Sequence, residues 1–206
     1  MLNIALPKGR LGIQVFALFE KAGYEVAKLV KNSRKLVVTD TKNQIRFFLV
    51  KSSDVAVYVL HGTADAGVAG RDIILETAPD VYELLDLRLG VCRVAVAGPK
   101  NFTEPKGTLR VATKYPNIAK RHYDAKGRGI ELITLNGSVE LAPILGLSNV
   151  IVDIVETGTT LRENDLVIIE EILPVSARLI ANMSSYKFKR GEIERLKTAI
   201  TGEAGK

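Results

Sequence analysis

Cysteine, histidine and tryptophan are scarce in this sequence: its 206 residues include one cysteine, two histidines and no tryptophan. The single cysteine, Cys92, excludes an intramolecular disulfide, and its apolar run over residues 91–96 is typical of a small side chain packed in a core. His61 and His122 are far apart and have no cysteine partners, which excludes a structural zinc site and gives a Cys-His protease arrangement little support.

Long apolar runs are also missing. No run approaches the ~20 residues that a membrane-spanning helix needs. The N-terminus has no basic leader ahead of its apolar part, and the charged residues Lys8 and Arg10 follow at once, which is unlike a signal peptide. The sequence therefore predicts a cytoplasmic protein without a membrane segment.

The charge balance is basic, with a formal net charge of +6 and a pI of about 9.4. Nucleic-acid-binding proteins tend to cluster Lys and Arg on one face with aromatic residues between them. Here the basic residues are spread along the chain, so we expect no nucleic-acid partner. Phosphorylated small molecules are the anionic ligands that this pattern favours.

Short apolar runs alternate with amphipathic segments, which favours an α/β fold with mostly parallel sheets. The pattern restarts near residue 88, which indicates two lobes, each with its own sheet. We predict strands at residues 2–6, 36–39, 45–50, 66–69, 92–97, 109–112, 130–135, 150–154, 166–172 and 177–182. We predict helices after Arg10, after Ser53 as N-cap, after Gly70, over 116–126, over 139–147 with Ser138 as cap, and over 192–200.

Ligands of open α/β sheets bind beyond the carboxyl ends of the strands. One such end, residues 151–161, carries the strongest local signal in the chain. A buried strand delivers Asp153 to its exit, and Glu156–Thr160 then form a turn rich in hydroxyls ahead of a helix. Its amides, Gly158 and three threonine hydroxyls could hold a phosphate, while the acidic side chains suit sugar hydroxyls. The alternative is an ordinary capped helix start.

Several motifs at fixed spacings extend this signal to nearly the whole chain. Together they resemble the ATP phosphoribosyltransferase family, with Glu140, Gly146, Ile151, Asp153 and residues 157–161 (Thr-Gly-Thr-Thr-Leu) as the signature. The other matching segments are residues 6–11 (Leu-Pro-Lys-Gly-Arg-Leu), 33–36 (Ser-Arg-Lys-Leu), 64–67 (Ala-Asp-Ala-Gly), 70–72 (Gly-Arg-Asp), 111–116 (Val-Ala-Thr-Lys-Tyr-Pro) and 135–140 (Leu-Asn-Gly-Ser-Val-Glu).

The resemblance implies the first step of histidine biosynthesis. In that reaction, ring nitrogen N1 of ATP attacks the anomeric carbon of phosphoribosyl diphosphate, and pyrophosphate leaves. The resemblance also implies a fold like that of type II periplasmic binding proteins, with two α/β lobes around a cleft. Lobe I would comprise residues 1–87 and about 180–206, and lobe II, about 88–179, would carry the phosphoribosyl diphosphate loop.

The resemblance implies partners and a cofactor as well. The chain ends soon after its final helix, as in the short form of the family, which works with a separate regulatory subunit similar to histidyl-tRNA synthetase. We therefore expect a homo-oligomer, a dimer, that assembles with such a subunit. Mg²⁺ is the expected cofactor, bound mainly through the pyrophosphate, and no residue of the chain is assigned to it.

The matched positions give a set of expected site residues. Lys8 and Arg10 are expected to act catalytically on phosphates, although a solvated turn is the alternative. The residues expected to bind phosphoribosyl diphosphate are Glu140, Asp153, Glu156, Thr157, Gly158, Thr159 and Thr160, and those expected to bind ATP are Arg71, Asp72, Thr113 and Lys114. Asp72 could instead cap a helix, Lys114 could be a surface cation, and Glu140 could complement a helix dipole.

Four positions depart from the family pattern. Lys51 stands where Arg is usual and lacks the bidentate guanidinium fork, while Arg88 stands where Gly is common. Ala56 and Leu60 often correspond to Pro and Glu. Two other functions stay open from the residues alone: a non-enzymatic receptor for small anions, and a different phosphoribosyltransferase. Typical members of the latter group carry two adjacent acids before the loop, where this chain has Asp153 followed by Ile154.

Overall fold

The structure, a computed structural model, describes residues 1–27 and 35–204. Its strands are β1 (Leu2–Pro7), β2 (Val37–Asp40), β3 (Ile45–Val50), β4 (Ala66–Gly70), β5 (Val81–Asp86), β6 (Cys92–Pro99), β7 (Leu109–Thr113), β8 (Ile130–Thr134), β9 (Val150–Val155), β10 (Leu166–Val175) and β11 (Ala177–Asn182). Its helices are α1 (Arg10–Lys21), α2 (Val55–Leu60), α3 (Arg71–Thr77), α4 (Pro116–Ala125), α5 (Leu141–Ile144), α6 (Thr159–Glu163), α7 (Met183–Phe188) and α8 (Arg190–Ala204), and a 3-10 turn spans Ser52–Asp54. Ser33 and Arg34 of one matching motif lie outside the described residues.

The chain divides into two compact units. Within the described residues, the first unit comprises Met1–Ile74, Ala78–Gly90 and Ser176–Lys206, and the second comprises Leu75–Thr77 and Val91–Val175. Each unit contains one sheet. The combination of helices with two separate sheets confirms the predicted α/β class.

The first unit is built on a six-stranded sheet with the order β2-β3-β1-β4-β11-β5. Successive side chains of a strand point to opposite faces, and β1 follows this rule. Ile4 and Leu6 pack in a cluster with Phe19 of α1, and Ala5 packs in a second cluster with Val59 of α2. Both faces of β1 are therefore buried, which explains its nearly continuous apolar sequence.

The second unit is built on a five-stranded sheet with the order β10-β6-β9-β7-β8. Strands β7, β8 and β9 are parallel to one another, whereas β6 and β10 run antiparallel to their neighbours. Ala95 of β6 and Ile151 of β9 pack in one core cluster with Leu161 of α6. This packing fixes the short helix α6 against the sheet, shortly after strand β9.

The prediction of mostly parallel sheets is wrong, because each sheet mixes the two directions. Strand β2 pairs with β3 as an antiparallel hairpin, and β11 lies antiparallel to both β4 and β5. Strand β10 likewise returns antiparallel to β6. The hairpin, joined by the polar turn at residues 41–44, needs no crossover helix.

Two predicted helix caps are wrong. Ser53 lies inside the 3-10 turn, where its hydroxyl donates to the Asp54 carboxylate (2.8 Å). Ser138 has φ +47° and lies before α5, which is limited to Leu141–Ile144 rather than the predicted residues 139–147. The sequence analysis also missed two elements, the partly exposed edge strand β5 and the short helix α7.

Cys92 is half-buried at the start of β6, so the prediction of a fully buried core side chain is also corrected. None of the described helices combines the length and the apolar character that a bilayer crossing requires.

Candidate functional site

The predicted ligand-binding segments of the second unit follow parallel strands that are neighbours in the sheet. Strands β7, β8 and β9 end at Thr113, Thr134 and Val155, and because they are parallel, these ends lie at the same edge of the sheet. Lys114, the segment leading to Glu140, and the threonine-rich loop all start from that edge. The topology therefore brings together residues that are up to 46 positions apart in the chain.

The phosphate-binding candidate is the segment Glu156–Thr160, here called the threonine loop. It is anchored by two buried side chains, Val155 and Leu161, each 5% exposed. Gly158 has φ +71°, the left-handed region that glycine adopts without strain. Around it, the Thr157 and Thr159 hydroxyls lie 3.0 Å apart, and the amide of Thr159 points at Thr157 Oγ1 (3.4 Å).

The donors of the threonine loop are accessible. Glu156, Thr157, Thr159 and Thr160 are exposed, and Gly158 is half-buried. Helix α6 starts at Thr159, and the first N–H groups of any helix have no acceptor within it. Hydroxyl and amide donors therefore surround one exposed turn, which is the environment that a phosphate group requires.

Arg162 is a loop contact that the sequence analysis missed. Its Nη1 donates to the carbonyl oxygen of Thr157 (2.9 Å), and its Nη2 donates to Thr159 Oγ1 (3.0 Å). The side chain thus spans the glycine from the next turn of α6. An arginine four residues after Gly158 is the sequence feature that could have indicated this contact.

Asp153 lies inside β9, two residues before the strand ends at Val155, rather than at its exit. It pairs with Ala95 of β6 and comes one residue after Val152, the last β9 residue that pairs with β7. The side chain is half-buried, and its Oδ1 accepts a hydrogen bond from the amide of Ile154 (2.8 Å). By strand alternation it shares a face with Val155, which packs in the same cluster as Leu161.

Glu140 is half-buried and occupies the N-cap position of α5, without a capping hydrogen bond from its side chain. The neighbouring Val139 is 2% exposed and fixes the segment in the core. Because α5 is only four residues long, the alternative of a helix-dipole role for Glu140 is weak.

Thr113 ends strand β7, and its side chain is engaged within the protein; its expected contact with ATP stays a prediction. The residue is fully buried (0% exposed); its hydroxyl donates to the Val152 carbonyl (2.6 Å) and accepts from the Tyr115 amide (2.8 Å). These bonds hold the turn that carries Lys114. Lys114 is exposed, and its Nζ lies 5.9 Å from the centre of the Tyr115 ring.

Helix α4, which follows Lys114, is also held by a residue of α3. Both carboxylate oxygens of Glu76 accept backbone hydrogen bonds at the start of α4, from Asn117 (2.9 Å) and Ile118 (3.0 Å). This carboxylate satisfies two amides that the helix itself leaves unpaired. The Lys114 turn is thus supported on both sides.

In the first unit, Lys8 and Arg71 follow parallel strands at one edge of the sheet. Strands β1, β3 and β4 end at Pro7, Val50 and Gly70, and the amide of Lys8 donates to the Val50 carbonyl (2.8 Å). Lys8 and Arg10 are both exposed. The first turn of α1 lies close to the end of β1: a Cβ on Gly12 would lie 2.2 Å from the Pro7 carbonyl oxygen, so only glycine fits there.

Arg71, the first residue of α3, belongs to a charged network with residues of β5 and β11. Its Nε lies 3.9 Å from a carboxylate oxygen of Glu83, as does the Nε of Arg178, and Arg178 also pairs with Asp86 (3.1 Å). Burial alone would raise the pKa of Asp86, but hydrogen bonds from the Arg88 amide and the Ser176 hydroxyl, with the two arginine charges, hold it below its usual value. The network thus places Arg71 beside Glu83 at the end of β4.

Asp72 is 7% exposed and is the second residue of α3, so the N-cap alternative is wrong: the N-cap is Gly70. A Cβ on Gly70 would lie 2.2 Å from Asp72 Oδ1. The glycine therefore makes room for the carboxylate, which folds back over the strand end.

The family model for ATP phosphoribosyltransferase (HisG) matches residues 51–202 of the chain. The chain belongs to this family. A curated ATP phosphoribosyltransferase from Brachyspira hyodysenteriae is 55% identical over 198 residues, covering 95% of this chain and 96% of the relative. One from Caldanaerobacter subterraneus subsp. tengcongensis is 56% identical over 201 residues, with 97% and 94% coverage.

The fold of the ATP phosphoribosyltransferase family is matched as well. A chain in the solved ATP phosphoribosyl transferase (HisG:HisZ) complex from Thermotoga maritima superposes with a TM-score of 0.86. It is 38% identical to this chain, and the match covers 99% of this chain and 98% of that one. The predicted family, its activity as a pentosyltransferase and its place at the first step of histidine biosynthesis are thereby confirmed. An anion receptor and a different phosphoribosyltransferase are excluded.

One departure from the ATP phosphoribosyltransferase pattern has a structural consequence. Arg88, where glycine is common, has φ +54°, so the family's glycine would adopt this backbone more easily. The structure thus explains why glycine suits position 88.

Lys51, another departure from the family pattern, is exposed and precedes the 3-10 turn. Its carbonyl accepts from the Asp54 amide (2.8 Å).

A divalent metal is generally used by this family. In the part of the chain that the structure describes, no group of three or more His, Cys, Asp or Glu side chains is arranged to hold a metal ion. A cation that is carried mainly by the phosphate oxygens of a substrate needs no such full set of protein ligands.

Proposed function

We propose that the threonine loop binds the 5-phosphate of phosphoribosyl diphosphate during phosphoribosyl transfer to ATP. The observation that carries this proposal is the convergence of hydroxyl and amide donors around Gly158 on an exposed turn at a strand end. A phosphate accepts several hydrogen bonds at once, and glycine permits close approach of the backbone.

Asp153 and Glu140 are proposed to bind the ribose hydroxyls. Both are half-buried carboxylates: Asp153 lies near the end of β9, and Glu140 lies in the segment that follows β8 from the same sheet edge as the threonine loop. A charged acceptor makes stronger hydrogen bonds to a sugar diol than a neutral one does. Glu156, exposed at the start of the loop, belongs to the same proposed set.

Lys8 and Arg10 are proposed to act on substrate phosphate groups. As the bond between the anomeric carbon and pyrophosphate breaks, positive charge develops on the ribose and negative charge on the leaving group. Exposed cations beside a strand end can stabilise that negative charge. The attacking ring nitrogen already carries a lone pair, so the reaction needs no strong general base, and positioning with electrostatics can account for the catalysis.

ATP is proposed to contact Lys114 and Arg71, each at the carboxyl end of a strand. Lys114 is an exposed cation on a turn held by Thr113, and Arg71 is fixed by Glu83. Asp72 is retained as a proposed positioning group at the start of α3, since its carboxylate is buried against Gly70.

Mg²⁺ is the proposed metal, carried by phosphoribosyl diphosphate and its pyrophosphate group. When bound, it supplies neutralisation of the leaving group's charge. Asp153 and Glu140 are the carboxylates of this chain that could add a ligand to a cation held in that way. A cytoplasmic location is part of the proposal.

The proposed partner is a regulatory subunit of the HisZ type. The solved relative from Thermotoga maritima is a HisG:HisZ complex, and this chain covers 98% of the matching chain. We propose a homodimer that joins such a subunit. Calorimetry of histidine into the isolated chain tests this part: no or weak binding is expected, and micromolar binding would place the regulatory site on this chain.

Titration of phosphoribosyl diphosphate with Mg²⁺ tests the loop assignment. Thr159→Ala combined with Thr160→Ala removes two hydroxyl donors and should weaken binding by about 1–3 kcal/mol. Thr103→Ala combined with Thr108→Ala is the matched control, because both threonines are exposed in the same unit and away from the loop. Equal affinity of the loop variant and the wild type would remove the threonine loop from the site.

A further inference from the structure

The guanidinium of Arg162 bridges the two threonines that flank Gly158. Its two terminal nitrogens make separate bonds, Nη1 to the carbonyl of Thr157 at 2.9 Å and Nη2 to the hydroxyl of Thr159 at 3.0 Å. A lysine ammonium could not place two donors in this fixed planar fork. The contact therefore depends on an arginine.

The bridge passes over Gly158. A Cβ at this position would lie 3.4 Å from Arg162 Nη1, in van der Waals contact with it, and the backbone φ of +71° disfavours any side chain. The arginine thus lies directly over the glycine. Loop conformation and arginine position are coupled to each other.

The bridge also determines what the Thr159 hydroxyl can do. A hydroxyl has one proton to donate and two lone pairs that accept. Arg162 carries no acceptor, so Thr159 Oγ1 must accept from it, and the hydroxyl proton is left for another acceptor. In this structure the neighbouring hydroxyl oxygen is Thr157 Oγ1 at 3.0 Å, and either hydroxyl can be the donor of that pair. A phosphate oxygen is a stronger acceptor because it is charged.

We propose that Arg162 is a positioning residue for the phosphoribosyl diphosphate site, and that it acts through Thr159. It fixes the left-handed turn at Gly158 and orients the Thr159 hydroxyl as a donor to the 5-phosphate. This inference rests on the proposed role of the threonine loop. The positive charge of Arg162, next to the Thr159 hydroxyl, also favours an anion at that position.

A double-mutant cycle of Arg162→Gln and Thr159→Ala tests the coupling in the full-length chain, with the partner subunit if activity requires it. Arg162→Gln alone should raise KM for phosphoribosyl diphosphate about 10- to 100-fold, the range for a hydrogen bond to a charged group. KM for ATP and kcat should change less than about twofold. In the Thr159→Ala background, Arg162→Gln should raise KM much less than in the wild type, because the hydroxyl that it orients is gone and only its bond to the Thr157 carbonyl remains.

Two control variants separate positioning from general support of the loop. Asn164→Ala removes another bond from the same segment to the loop, from Nδ2 to the Thr160 carbonyl (2.8 Å), but that bond touches no hydroxyl. It should raise KM far less than Arg162→Gln does. Lys120→Gln removes an exposed charge elsewhere in the unit and should leave KM unchanged.

Chemical rescue gives a readout that a purely structural role would not move. Millimolar guanidinium should restore part of the affinity of Arg162→Ala for phosphoribosyl diphosphate, whereas methylammonium should not, because it lacks the planar fork. Rescue should disappear when Thr159→Ala is added. Independent, additive effects in the cycle together with no rescue would overturn the role of Arg162.

The outcomes for Arg162 and for the loop are distinguishable. Undiminished binding by the Thr159/Thr160 double alanine variant would overturn the loop assignment itself. Weakened binding by that variant, with additive effects of Arg162→Gln and Thr159→Ala, would leave the loop in place and overturn only the inference about Arg162.

Discussion

Lys189 Nζ lies 2.9 Å from each carboxylate oxygen of Asp65, a residue that is only 3% exposed. The same carboxylate accepts from the amide of Asn3 (2.8 Å) and from the hydroxyl of Ser185 (2.7 Å). One buried acid thus ties the segment between α7 and α8 to β1 and the start of β4, and helps to hold the returning end of the chain on the first unit.

Removal of the cation should therefore destabilise the first unit. Lys189→Met leaves Asp65 buried with no opposing charge, which costs 3–5 kcal/mol in fully buried pairs. The Lys189 side chain is 36% exposed, and solvent screening reduces the expected loss to about 2 kcal/mol. Urea unfolding measures this as a lower midpoint at an unchanged m-value. An equal midpoint for Lys189→Met and wild type would show that the pair contributes nothing.

Arg88→Gly should stabilise the protein. A non-glycine residue in the left-handed region costs roughly 1–2 kcal/mol, and the greater freedom of glycine in the unfolded chain offsets about half of that gain. We expect a net gain of about 0.5–1 kcal/mol by thermal or urea unfolding. Arg88→Ala is the control, because it loses the same side chain but keeps the strain; a glycine variant no more stable than this alanine variant would refute the explanation.

Asp86 should make stability depend on pH at the acidic end. Because its pKa in the folded protein is held below the usual value, its contribution is fully present above the ordinary carboxyl pKa. The contribution is lost as the pH falls through the lowered pKa of the folded state. The difference in unfolding free energy between wild type and Asp86→Asn should be constant from neutral pH to about pH 5 and should shrink below about pH 4. A difference that stays constant down to pH 3 would contradict this.

Lys8→Gln and Arg10→Gln should each lower turnover and reduce its dependence on ionic strength, since exposed charges act on phosphates through a field that salt screens. Steady-state rates measured across a salt series give both quantities. Lys42→Gln is a suitable control, because Lys42 is an exposed cation in the β2–β3 turn of the same unit. Unchanged turnover in both variants would return Lys8 and Arg10 to the status of a solvated turn.

The threonine loop could be predicted because its functional groups are contiguous in sequence. Thr113 could not be placed in the same way, since its burial depends on a hydrogen bond to Val152, 39 residues away on a neighbouring strand. Strand direction was also out of reach: an apolar run has the same pattern in a parallel or an antiparallel pair, as β10 shows.

Long-range ion pairs were equally hidden from the sequence. Arg71 was singled out as a nucleotide contact. Its pairing with Glu83, which Arg178 also contacts, depends on how β4, β11 and β5 lie side by side. Arg88 was noted as a departure from the family, yet only its φ of +54° explains why glycine suits that position. Composition and spacing identify the groups, and the fold determines their partners.

The central claim is that the threonine loop holds the 5-phosphate of phosphoribosyl diphosphate. Phosphorus-31 NMR resolves the 5-phosphate monoester of this ligand from its diphosphate group. The monoester resonance should shift on binding to the wild type and to the Thr103/Thr108 double alanine control. With the Thr159/Thr160 double alanine variant at saturating ligand, that shift should be reduced. The diphosphate resonances should shift with this variant as they do with the wild type. A monoester shift that is identical in the loop variant, or a change confined to the diphosphate resonances, would contradict the assignment.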